Sequence, residues 1–150
     1  MFARCGSVCA VLLAFSISPA AQPQHTPGPP EFTSEAAAAP LDQIREGLDS
    51  HDAGLLLSAF DAANMPDYGG FRDQVRALFT TYESFRSFYR ITESRRADGG
   101  GVVLAEFELE AVPAGGGISN VRRQAQIRFN LRPGKDGWKI VDLSPRGFFS

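Results

Sequence analysis

The strongest constraint in this sequence is a change of hydrophobic period near Ser84. Downstream of it, apolar and polar residues alternate. In "VVLAEFELEAV", Val103, Ala105, Phe107, Leu109 and Ala111 share one phase, and Glu106, Glu108 and Glu110 take the other. "VRRQAQIRFNLR" repeats the pattern, with Ala125, Ile127, Phe129 and Leu131 set against Gln124, Gln126, Arg128, Asn130 and Arg132. A period of two belongs to a strand with one buried face. "FRSFYRITESRR" precedes these runs and "WKIVDLS" follows them, while "ADGGG", "PAGGGISN" and "PGKDG" carry the turn residues between them. The expected unit is a four-strand antiparallel meander, apolar on one face and polar on the other.

Upstream, the period is helical. Pro40 suits a first helical position, and Leu41, Ile44 and Leu48 then recur on one face. Asp52 is placed to cap a second helix, "AGLLLSAFDAAN", which Asn64 and Pro66 end. A third helix is expected in "FRDQVRALFTTYESF", with Phe71, Val75, Leu78, Phe79 and Tyr82 on one stripe. Three short helices and a one-sided sheet can bury their apolar surfaces only against each other. The fold class is therefore α+β, with three N-terminal helices on the concave face of a curved four-strand antiparallel sheet.

The front of the chain reads differently. "MFAR" is a short positive start, "CGSVCAVLLAFSI" an apolar run and "SPAAQ" a small-residue cleavage site, the order of a secretory signal peptide over residues 1–20. The run falls short of the about 20 apolar residues that span a bilayer, so no stable membrane span is expected after cleavage. The expected location is secreted or periplasmic. Both cysteines, Cys5 and Cys9, lie in this segment. Residues 21–39, rich in Pro and Ala, read as a disordered linker, and 40–150 as the domain. The net charge of −2 gives no electrostatic basis for nucleic-acid binding.

The order of helices and strands, "LDSHDAGLLLSAF" at the first helical corner and the ending "GWKIVDLS" resemble the nuclear transport factor 2-like superfamily, the cystatin-like cone, over roughly residues 40–149. Its polyketide-cyclase-like and exported bacterial branches fit this chain best. The resemblance implies a pocket inside the cone. Its expected lining is Phe60, Tyr68, Phe79, Tyr82, Phe107, Phe129 and Trp138. Asp142 joins them if the face shared by Trp138 and Ile140 turns inward.

Enzymes of this superfamily place an acid or base in that pocket. Here the two clearest inward rows are apolar apart from Arg123, at a strand end where an arginine usually reaches solvent or an acid. His51, beside Asp52 at a helical corner, is the other candidate base. The glutamates 106, 108 and 110 stand nearly 7 Å apart, from about 3.3 Å per residue, and pair more naturally with arginines of neighbouring strands than with a metal. Neither a catalytic set, a metal site nor a cofactor is expected. The reading is an exported non-catalytic module that binds a small apolar ligand or forms a homodimer through the polar outer face of its sheet. The alternative is an isomerase, dehydratase or cyclase acting on a small apolar molecule with Asp142, His51 and a tyrosine.

Overall fold

The computed structural model describes residues 31–116 and 119–150, so the expected signal peptide and most of the expected linker lie outside the described residues. Three helices, α1 (Ser34–Asp49), α2 (Ala53–Ser58) and α3 (Tyr68–Thr81), precede four strands. The strands β1 (Tyr82–Ala97), β2 (Gly100–Pro113), β3 (Val121–Gly134) and β4 (Gly137–Ser144) form one sheet in the order β1-β2-β3-β4, every pair antiparallel. A 3-10 helix, Arg146–Phe149, follows.

Helix α1 begins at Ser34 rather than at Pro40, so residues 34–39, expected in the linker, are helical. Thr33 caps it, accepting a hydrogen bond from the Ala36 N–H at 3.1 Å, and the alanine run has high helix propensity. Tertiary contact anchors the start, since Ala37 is fully buried and the Phe32 ring meets Trp138 edge-on at 4.8 Å.

Helix α2 is shorter than its sequence suggests. It ends at Ser58, before the expected end at Asn64, because residues 59–61 serve the sheet. The Ile140 N–H donates to the Ala59 carbonyl at 2.9 Å, and the Asp61 N–H donates to the Ile140 carbonyl at 2.8 Å. These bonds cover part of the β4 edge, which would otherwise leave backbone groups open. Asp52 does cap α2, accepting from the Leu55 N–H at 2.9 Å. Helix α3 stops at Thr81, and Tyr82, expected on its apolar stripe, opens β1.

The alternation in β2 and β3 is realised as read. Val103, Ala105, Phe107, Leu109, Ile127, Phe129 and Leu131 are buried under the helices. The glutamates of β2 lie on the other face, Glu106 opposite Arg90 of β1 and Gln126 of β3. Gly47 lets α1 and α2 approach closely, for a Cβ there would stand 2.5 Å from the Leu56 nitrogen.

Strand β4 carries the main departure. Its register with β3 shifts between Asn130 and Leu131: Asn130 pairs with Asp142, whereas Leu131 pairs with Ile140. Val141 is the extra residue of a bulge. Trp138 and Ile140 face the helices before it, and Leu143 does so after it. Asp142 is thereby turned to the outer face, opposite Asn130.

Candidate functional site

The residues expected to line a pocket are brought together, apart from Asp142. Phe60, Phe79, Phe107, Phe129 and Trp138 belong to one buried cluster, with Tyr68 and Tyr82 packed at its margin. Asp142 must be withdrawn from that set. Its carboxylate accepts from Arg146 Nη2 at 2.8 Å and from the Leu143 N–H at 2.9 Å, on the far side of the sheet. The physical reason is a choice of phase. Without the bulge, Asp142 would be buried in place of Leu143. Burying a Leu side chain contributes about 1.5–3 kcal/mol, whereas an unpaired buried carboxylate is strongly unfavourable. The signal was present in the sequence: Ile140 and Leu143 are three residues apart, an odd spacing that a regular strand cannot place on one face.

His51 does not join Asp142. It sits at the α1–α2 corner with φ 55°, exposed, stacked on Phe85 at 5.6 Å and tilted against Phe79 at 5.1 Å. Its Nε2 lies 2.9 Å from the Tyr82 carbonyl, a bond that ties the corner to the start of β1. The set Asp142, His51 and tyrosine is therefore not assembled.

The concave side is occupied by aromatic residues of the same chain. The 3-10 helix folds Phe148 and Phe149 inward, 6.0 and 6.3 Å from the Phe107 ring, and Phe149 also meets Phe71 of α3 edge-on at 6.3 Å. These rings pack against α3 and β2. Arg123 holds the segment. Its Nη1 donates to the Phe148 carbonyl at 3.1 Å and to the Ser150 carbonyl, and its Nη2 to the Tyr82 hydroxyl at 3.3 Å. Gln74 Nε2 adds a bond to the Arg146 carbonyl at 2.6 Å. Arg123 thus holds the last turn of the described chain rather than pointing free into a pocket.

Polar groups on the helix-covered side are few. Among the described residues, Ser87 is the one polar side chain in the buried class, and Asp49 satisfies both its N–H and its hydroxyl at 2.9 Å. The Tyr89 hydroxyl donates to Asp42 Oδ1 at 2.7 Å, and its ring stacks on Phe107 at 5.4 Å. Burial, and then the Asp42 bond, raises the pKa of this phenol well above its ordinary value. The Trp138 Nε1 is the one buried side-chain donor without a partner among the described residues. No cluster of His, Cys, Asp or Glu suited to a metal occurs among the described residues, and no helix there is long and apolar enough to cross a membrane.

The opposite face of the sheet is open. Arg90 pairs with Glu106 at 2.6 Å, Arg122 pairs with Glu108, and Asn120 Nδ2 donates to Glu110 at 2.9 Å. Phe88 stands among them, 60% exposed. Three depressions open on this face, the largest of about 420 Å³.

Neither a protein-family model nor a curated protein matches the sequence. Solved structures do match the fold. A Novosphingobium aromaticivorans protein provisionally named a scytalone dehydratase aligns with a TM-score of 0.63 and 10% identity, over 73% of this chain and 79% of that one. A nuclear transport factor 2-like superfamily protein from Salmonella enterica serovar Typhimurium gives 0.59 and 10%, over 73% and 86%. A domain of unknown function with a cystatin-like fold from Nostoc punctiforme gives 0.56 and 15%, over 79% and 85%. With its three helices, its four-strand antiparallel sheet and these structural neighbours, the chain has the nuclear transport factor 2-like, cystatin-like fold.

Proposed function

We propose that this is an exported, non-catalytic module that works as a homodimer through the outer face of its sheet. The observation that carries the proposal is the filling of the cone: Phe148 and Phe149 occupy the concave side against Phe71 and Phe107. Asp142 and His51, the acid and base that an isomerase, dehydratase or cyclase would need there, are elsewhere. Export rests on the signal-like order of residues 1–20.

The outer face supports the dimer. Helices cover the sheet on one side only, and alternating acidic and basic rows can pair with the same rows of a second copy about a two-fold axis. The exposed Phe88 ring, about midway along the edge strand β1, supplies apolar area on that face.

Sedimentation of the domain and of Phe88→Arg tests this reading. The parent should show a concentration-dependent dimer and the variant a folded monomer whose circular dichroism matches that of the parent. A parent that stays monomeric at high concentration rules out the dimer. An apolar fluorescent probe tests the filled cone: it should ignore the parent and bind Phe149→Ala. Saturable binding inside the parent cone would revive the ligand-binding and enzymatic readings.

A further inference from the structure

Among the described residues, the outer face pairs some of its arginines with carboxylates and leaves others unpaired. Arg90, Arg95, Arg122 and Arg146 each meet a carboxylate, on Glu106, Glu93, Glu108 and Asp142 respectively. Arg128 and Arg132, on the same face of β3, meet none among the described residues. Both line the groove of about 420 Å³ that runs over β2, β3 and β4 toward the turn carrying Asn64 and Pro66. That volume falls within the range of small-molecule sites, about 300–1,000 Å³.

The groove has an apolar base on a largely polar face. Val102 and Val141, both lining it, are 8% and 9% exposed. Val141 is the bulge residue of β4, so the irregularity that turns Asp142 outward also shapes this groove. Two carboxylates line it as well. Asp142 is already held by Arg146 and the Leu143 N–H. Asp98, exposed in the β1–β2 turn, stands alone against two guanidinium groups. Arginine keeps its charge at every physiological pH and presents a planar fork that matches a carboxylate.

We infer that this groove is a binding site for a small amphipathic carboxylate. Its head group is held by Arg128 and Arg132, and its apolar body lies on Val102 and Val141. The groove shares the outer face with the proposed dimer contact but lies at another position along the strands, since Phe88 aligns with Glu108 and Gln124, whereas the groove aligns with Val102 and Asn130. Phe88→Arg and the groove substitutions therefore fail or succeed separately.

Octanoate is the probe, with octanol as the uncharged control, and titration calorimetry at low salt with the full domain as the measurement. Octanoate is expected to bind saturably with one-to-one stoichiometry, and octanol far more weakly. Arg128→Gln and Arg132→Gln, both at exposed positions, should each weaken binding roughly fivefold, the equivalent of one solvent-exposed ion pair near the upper end of its range. Asp98→Asn should strengthen it. Absence of saturable octanoate binding, equal affinity for octanol, or an affinity that neither arginine substitution changes would each overturn the assignment.

Discussion

The two faces of this sheet are made by the same strands and are held by different physics. The inner face of β2 and β3 is a continuous apolar wall whose side chains are excluded from water by three helices and by Phe148 and Phe149. The outer face is a lattice of arginine, glutamate, glutamine and asparagine with one large exposed ring, Phe88. Burial makes the inner positions intolerant of change, because deleted atoms leave a cavity that close-packed neighbours fill poorly. Solvent makes the outer positions tolerant, because an exposed ion pair gives back in dehydration and lost side-chain freedom most of what it gains. Energy for folding lies on one side of the ribbon, and freedom to acquire partners lies on the other.

The sharpest test of that contrast is Phe107→Ala, which removes a fully buried ring in contact with Tyr89, Phe129, Phe148 and Phe149. It should cost about 3–5 kcal/mol in denaturant unfolding. A loss below about 1 kcal/mol, the average for any substitution, would mean that the concave side is loosely filled.

Gly47→Ala probes the helical roof rather than the sheet. Its new Cβ would lie 2.5 Å from the Leu56 nitrogen and 2.8 Å from the Leu56 Cα, so α1 and α2 must part. A loss of about 1–3 kcal/mol is expected, as for overpacking elsewhere, although alanine favours helix over glycine. A gain in melting temperature would contradict the close helix approach.

Tyr89→Phe touches the seam between the faces. It removes the 2.7 Å bond to Asp42 and should cost about 1 kcal/mol at neutral pH. The folded-state pKa of this phenol is raised, chiefly by burial. Its contribution is therefore fully present below the unfolded value of about 10 and is lost as pH rises through the folded value. The parent should lose more stability than the variant when both are unfolded above that pH. Identical alkaline profiles would remove Tyr89 from the account.

Arg122→Gln, on the outer face, should change monomer stability by less than about 0.5 kcal/mol, even though it breaks the contact with Glu108. An effect as large as that of Gly47→Ala would show that the outer lattice holds the sheet together, and the contrast between the faces would fail.

Much of this architecture could be read along the chain. The strands, the facing of β2 and β3, the Asp52 cap and the apolar stripe of α3 follow from patterns spanning several residues, and such patterns average over local exceptions. The candidate site was legible only where those patterns run unbroken. Phe107 and Phe129 are inward because their strands alternate without interruption. Asp142 does not follow Trp138 and Ile140 inward because one inserted residue, Val141, reverses every position beyond it. The early start of α1 and the early end of α2 were hidden for a related reason. Phe32 on Trp138, and Ala59 and Asp61 on Ile140, join residues that are distant in sequence.

By itself the sequence determined that a one-sided antiparallel sheet must be roofed by helices, since a period of two with one oily phase has no other stable use. Only the tertiary structure decided what fills the concavity and which face carries Asp142. Those outcomes depend on Phe148 and Phe149 turning back onto Phe107, and on a strand accepting one unpaired residue so that Leu143 is buried and a carboxylate stays in water.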